Sequence, residues 1–224
     1  RSYGAWLFDQ SGGTATIGGG LSLGNFYRLN STGQPMEWII SGNSALSVTG
    51  NVTLGWAGDS GAHLGTGSNQ QGRFTLKGSR GTGSDVTVTG NWRQTGSLTP
   101  NTSTDTYGTL EGVIDAAAIA TAADMRKIVV TGNVTFDNGS LLLPEFDPLA
   151  TPTSGTWTLM TWTGSLTNNG LTLDPTTAPG WSFNLDSINK DLTVTYSVPE
   201  PASMLLMLSA GGLALLARRR RRAV

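Results

Sequence analysis

Cysteine is absent from the 224 residues, so disulfides, thiolate metal sites and cysteine nucleophiles are excluded. Histidine occurs once, at His63, which rules out zinc sites built from several histidines and leaves acid–base chemistry to carboxylates or that one imidazole. Charge is scarce too: Asp, Glu, Lys and Arg supply 13% of the chain, against roughly 25% in ordinary soluble domains. Gly and Thr take the vacated share, at 31 residues each. Thr is stiff at χ1 and favours strands, whereas Gly marks turns and bulges, so the composition predicts an all-β chain.

The net charge of −1 hides an asymmetry. Residues 1–198 hold 9 Lys and Arg against 14 Asp and Glu, a net of −5, while the remainder sets five arginines against Glu200, a net of +4. An acidic body without a clustered positive face excludes nucleic acid as a partner.

The C-terminus orders three signals in one block. Val198-Pro199-Glu200-Pro201 comes first, an uncharged apolar run from Ala202 to Ala217 follows, and Arg218, Arg219, Arg220, Arg221 and Arg222 close it. As a helix, the 16-residue run would be about 24 Å long, short of the ~30 Å hydrocarbon core, so it spans only with snorkelling arginines on one side and the prolines in the headgroup layer on the other. The arginine cluster orients it: Arg218 to Arg222 stay cytoplasmic, and residues 1–197 form an exported β-rich domain beyond the inner membrane. A helix packed in a protein core is incompatible with five adjacent arginines.

The order of these segments resembles the PEP-CTERM sorting signal. That resemblance implies processing by an exosortase, a membrane-embedded cysteine transpeptidase, with Val198, Pro199, Glu200 and Pro201 as recognition residues. It implies transient residence in the inner membrane of a Gram-negative-type bacterium, then transfer to the cell surface or matrix, and an association with biofilm and exopolysaccharide. The chemistry agrees, because prolines keep the motif extended and separate from the following helix. An N-terminal leader is expected ahead of Arg1.

Within the body, Leu46-Ser47-Val48-Thr49-Gly50-Asn51-Val52 recurs as Val86-Thr87-Val88-Thr89-Gly90-Asn91-Trp92 and as Ile128-Val129-Val130-Thr131-Gly132-Asn133-Val134. The threonines are 40 and then 42 residues apart, and Leu192-Thr193-Val194-Thr195-Tyr196 reads as a fourth half-match. The fixed period favours stacked coils with side-chain ladders; Gly-Asn between alternating runs favours hairpins. The expected fold is a β-solenoid-like repeat body with a sandwich-like C-terminal end and one short C-terminal hydrophobic helix, with a single β-sandwich as the alternative. Residues 125–196 also resemble the closing module of PEP-CTERM and autotransporter-like surface proteins. The alanine-rich stretch from Asp115 to Lys127 predicts a helical turn covering a sheet edge and a sub-boundary of the domain.

Candidate chemistry is sparse. Gly58-Asp59-Ser60-Gly61 matches the nucleophile segment of trypsin-like proteases, but His63 stands three residues after the serine where that family places its base far upstream, so a turn is the better reading. Gly81-Thr82-Gly83-Ser84-Asp85 partly resembles a calcium-binding nonapeptide unit, yet Thr87 stands where an apolar residue belongs and no tandem copy follows. Asp137, Glu145 and Asp147 read as loop acids. Trp56, Trp92, Trp157, Trp162 and Trp181 are either core residues or a sugar-stacking face. Sequons at Asn30, Asn51, Asn101, Asn133 and Asn138 read as turn chemistry. The expectation is a non-enzymatic structural or adhesive surface protein without cofactor or metal; its partners would be an exosortase, exopolysaccharide and further copies through β edges. The alternative is a carbohydrate-binding module.

Overall fold

The computed structural model describes residues 7–23, 36–55, 72–78, 85–95, 108–115, 119 and 125–198. Among them the chain winds through strand triplets. The first is β1 (Leu7–Gln10), β2 (Thr14–Ile17) and β3 (Leu21–Leu23); the second is β4 (Met36–Ile40), β5 (Ala45–Val48) and β6 (Val52–Leu54). β7 (Gly72–Lys77), β8 (Val86–Val88) and β9 (Trp92–Gln94) follow, then β10 (Gly108–Ile114), β11 (Ile128–Val130) and β12 (Val134–Phe136). β13 (Leu141–Phe146), β14 (Gly155–Trp162) and β15 (Leu166–Asn168) make the last full triplet, before β16 (Thr172–Leu173), β17 (Trp181–Asp186) and β18 (Asp191–Tyr196).

Each triplet stacks on the previous one, giving a β-solenoid with three walls. The first wall is β1-β4-β7-β10-β13-β16 and the third is β3-β6-β9-β12-β15, parallel throughout. The second runs β2-β5-β8-β11-β14 in parallel and then turns antiparallel through β18 and β17. Parallel pairing excludes the single β-sandwich. The C-terminal end departs from the coil pattern as expected, through the antiparallel β17–β18 pair.

Alternation along each strand sends one face into the core. Leu46, Val86, Ile128 and Met160 stack in register, as do Val48, Val88, Val130 and Trp162, and all are buried. In the third wall Val52, Trp92 and Val134 form a matching inward row. Burying such rows is the main stabilising term, roughly 1.5–3 kcal/mol per large apolar side chain. Gln94 is the polar exception on this inner side: fully buried, it donates from Nε2 to the carbonyls of Gly108 at 2.7 Å and Leu141 at 2.6 Å, linking successive coils. Arg126, also buried, donates to the carbonyls of Ser44 at 2.6 Å and Gly42.

The structure decides between two readings of the repeat and corrects its last copy. Gly-Asn does not form a hairpin; it lies in the three-residue corner between the second and third walls, where the chain continues into a new sheet. The fourth repeat is not Leu192–Tyr196, which is antiparallel β18, but Met160-Thr161-Trp162-Thr163-Gly164-Ser165-Leu166, whose Thr163 follows Thr131 by 32 residues. The helical turn expected over 115–127 falls mostly outside the described residues; Ile119 is helical and its N–H donates to the Asp115 carbonyl at 3.0 Å, whereas Met125 to Lys127 are not helical. The expected helix over 202–217 lies outside them altogether, and no described helix is long and apolar enough to cross a membrane.

Candidate functional site

The corner between the second and third walls is Gly18-Gly19-Gly20 in the first coil, Thr-Gly-Asn in the next three and Thr-Gly-Ser in the last. Each Asn side chain reaches one coil along: Asn51 Oδ1 accepts from the Asn91 backbone N–H and Asn91 Oδ1 from that of Asn133, both at 2.8 Å. Asn133 Oδ1 accepts from Ser165 N at 2.9 Å and from Ser165 Oγ at 3.0 Å, which ends the ladder. Gly is required between Thr and Asn because the coils nearly touch: a Cβ on Gly132 would lie 2.5 Å from the Gly90 carbonyl oxygen. Beside the corner an open cleft of about 330 Å³ is lined by Asn51, Asn91, Asn133, Thr53, Arg93 and Thr135. Thr53, Arg93 and Thr135 are in register on the outer side of the third wall, and Arg93 Nε donates to Asp137 Oδ2 at 2.7 Å.

On the outer side of the first wall the centre is buried. Thr75 and Glu111 sit opposite each other in the β7–β10 register and are 4% and 6% exposed. Thr75 Oγ1 lies 2.7 Å from Glu37 Oε1 and 2.8 Å from Glu111 Oε2, with Arg73 Nη1 3.5 Å from the same Glu111 oxygen. One hydroxyl proton cannot serve two carboxylates, and burial raises the Glu111 pKa above the usual carboxylate range, opposed by the Thr75 bond and the Arg73 charge.

The body meets its tail at β18, which lies between β14 and β17. Tyr196 pairs with Gly155 on one side and Trp181 on the other. Its ring packs 4.9 Å from Phe146 and 5.0 Å from Trp181, and Trp157 closes this aromatic cluster 5.9 Å from both. Beyond the strand, the Ser197 N–H donates to the Gly180 carbonyl at 2.9 Å and the Val198 N–H to Ser154 Oγ at 3.1 Å. Of the residues expected to be recognised, Val198 lies among the described ones and is 43% exposed; Pro199, Glu200, Pro201 and Arg218 to Arg222 lie outside them.

The other candidates do not converge. Gly58 to Gly61, His63 and Gly81 to Ser84 lie outside the described residues, as do Trp56, Asn30 and Asn101. Trp92, Trp157, Trp162 and Trp181 are buried and supply no sugar-stacking face. Asp137 pairs with Arg93 on the third wall and Asp147 faces Lys77 at 3.8 Å beside the first, whereas Glu145 is no loop acid but part of strand β13, because its segment continues the first wall in register with β10. Asn51 and Asn133 are explained by the ladder. Sequence reasoning missed Ser165, although the Thr-Gly pair before it was a usable signal; nothing local marks Glu37, Thr75 and Glu111, which only the coil register brings together.

Fold and junction define a class: a three-walled parallel β-solenoid whose closing strand leads directly into a C-terminal sorting tail. A family model for the PEP-CTERM protein-sorting motif matches residues 197–222. The chain therefore carries that motif, which implies an exported, membrane-anchored precursor processed by an exosortase to reach the cell surface or extracellular space. No curated protein and no solved structure matches the chain significantly.

Proposed function

We propose that the solenoid is the cargo of its sorting motif and serves as a non-enzymatic structural or adhesive component of the bacterial envelope or matrix. The observation that carries this reading is the junction: β18 ends at Tyr196 and the matched motif begins at residue 197. Stacked coils with side-chain ladders suit a mechanical part, because every coil is bonded along its length to its neighbours. Inner-membrane residence is transient on this reading, and β edges allow contact between copies.

The cleft beside the Asn ladder favours a second reading, a site for exopolysaccharide. Each ladder Oδ1 is committed to a backbone N–H, and the cleft is lined by exposed Asn51, Asn91 and Asn133 with Thr53, Thr135 and Arg93, side chains that carry amide, hydroxyl and guanidinium donors. Such a donor row suits a hydroxyl- or carboxylate-bearing polymer.

Intact mass spectrometry of the protein from its native cell, with and without the exosortase, tests the first reading. An exosortase-dependent mass ending near Val198 to Pro201 is expected; a mass that retains Ala202 to Val224 in both strains means a permanent anchor. For the second reading, saturable binding of the cell's own exopolysaccharide that weakens at least several-fold in Arg93→Ala is expected, and equal binding by both proteins counts against the cleft.

A further inference from the structure

Cleavage near the Pro-Glu-Pro requires backbone that an enzyme can take up in extended, unpaired form, and here such backbone is short. β18 is an interior strand of the second wall, so Tyr196 cannot leave without breaking ladders to both β14 and β17. Two residues, Ser197 and Val198, separate it from Pro199, a reach of roughly 7 Å when extended. Three more, Pro199 to Pro201, precede the apolar run that begins at Ala202, at most about 10 Å.

Both N–H groups of that short link are occupied. The Gly180 carbonyl takes Ser197 and the Ser154 hydroxyl takes Val198. Gly180 is shaped for its part: its φ is +98°, and a Cβ there would meet the Ser197 carbonyl oxygen at 2.8 Å and the Tyr196 ring at 2.9 Å. Ser154 and Gly180 come from the two loops that precede β14 and β17, so the link is gripped from both sides of β18.

We propose that Ser154 and Gly180 form a clasp that holds Ser197 and Val198 against the folded body and restrains processing, so that the clasp must open before the motif is cut. The inference rests on the exosortase reading of residues 197–222 and adds positioning residues outside the matched segment. Its consequence is a coupling of sorting to folding. The body is presented flush with the membrane enzyme, and the rate of release depends on two hydrogen bonds at the body's C-terminal end.

The test is a pulse-chase of full-length protein in cells containing the exosortase, comparing wild type, Ser154→Ala, a Gly-Ser-Gly-Ser spacer inserted between Val198 and Pro199, and the combination. The spacer supplies slack outside the clasp, so processing is expected to quicken on the order of tenfold; Ser154→Ala alone, which removes one bond, gains roughly two- to tenfold. In the spacer background Ser154→Ala adds nothing, because the clasp is already bypassed. A spacer variant cut at the wild-type rate overturns the proposal, as does a Ser154→Ala gain that is equally large with and without the spacer. Wild type left uncut both with and without the exosortase overturns the sorting reading, and the clasp with it. Amide exchange on the full chain in detergent supplies the structural readout: protection at Ser197 and Val198 in wild type is expected, lost at Val198 in Ser154→Ala, while unprotected wild-type amides contradict the clasp.

Discussion

Glu111 concentrates the residue-scale physics of this chain, because a carboxyl has been placed where water scarcely reaches and where its nearest partner is a hydroxyl already within bonding distance of Glu37. Burial raises its pKa in the folded state above the value in the unfolded chain. The folded protein therefore binds the Glu111 proton more tightly than the unfolded one, and this contribution favours folding below the unfolded carboxylate pKa and is lost as pH rises through the folded value. Groups facing it are Thr75 and Arg73, which lower the pKa, and Glu145 and Glu37, which raise it. Glu111→Gln keeps a polar partner for Thr75 without titrating, so urea midpoints measured from mildly acidic to neutral pH are expected to fall for wild type and to flatten in the variant. Parallel pH profiles for the two proteins would remove Glu111 as the cause. None of this was legible in the sequence, where Glu37, Thr75 and Glu111 are far apart and only the 38- and 36-residue separations of their contacts join them.

At the scale of elements, the corner between the second and third walls explains both what could be read from the sequence and what could not. That corner is three residues long in every coil, so its Thr-Gly-Asn signature stands out as a repeat. The other corners vary in length, which is why the threonine spacing drifts from 40 to 42 to 32 and why the last coil escaped the pattern. Alternation identified the strands; it did not tell a hairpin from a corner, because Gly-Asn permits a tight change of direction in either. Buried tryptophans were likewise ambiguous until the register put Trp92 and Trp162 on inward rows. The corner also yields a sharp prediction. Gly132→Ala places a methyl 2.5 Å from both the Gly90 carbonyl oxygen and Asn91 Oδ1, backbone and a ladder side chain that cannot move independently. Coils must separate locally, and a loss of about 1–3 kcal/mol in denaturant titration is expected. Thr131→Ser at the neighbouring exposed position alters no core contact and is expected to stay within roughly 0.5 kcal/mol of wild type. Equal losses in the two variants would mean that the close stacking at Gly132 is not what the corner depends on.

The whole molecule has ends, and its ends decide what copies of it can do to one another. Among the described residues the walls terminate at β1, β2 and β3 on one side and at β16, β17 and β15 on the other. β16 and β15 offer two and three residues, whereas β17 offers six, the longest terminal strand among the described residues. A long edge is a template for another strand, and charge is the usual guard against such pairing. Here the guard is spread over the molecule: residues 1–198 carry a net −5, and a body cut near Val198, as proposed above, lacks the five arginines that offset it. Like-charged bodies repel at low ionic strength and do so less as salt shortens the screening length from about 30 Å at 0.01 M to about 8 Å at 0.15 M. Sedimentation velocity on the processed body is therefore expected to show monomer at low salt and a growing associated fraction at physiological salt. Asn184→Lys places a cation at an exposed position in the middle of β17 and is expected to keep the body monomeric at both ionic strengths, despite lowering the net negative charge. That opposition separates the two mechanisms. If general repulsion alone governs assembly, the added positive charge makes association stronger; if pairing at the β17 edge governs it, the same substitution abolishes association.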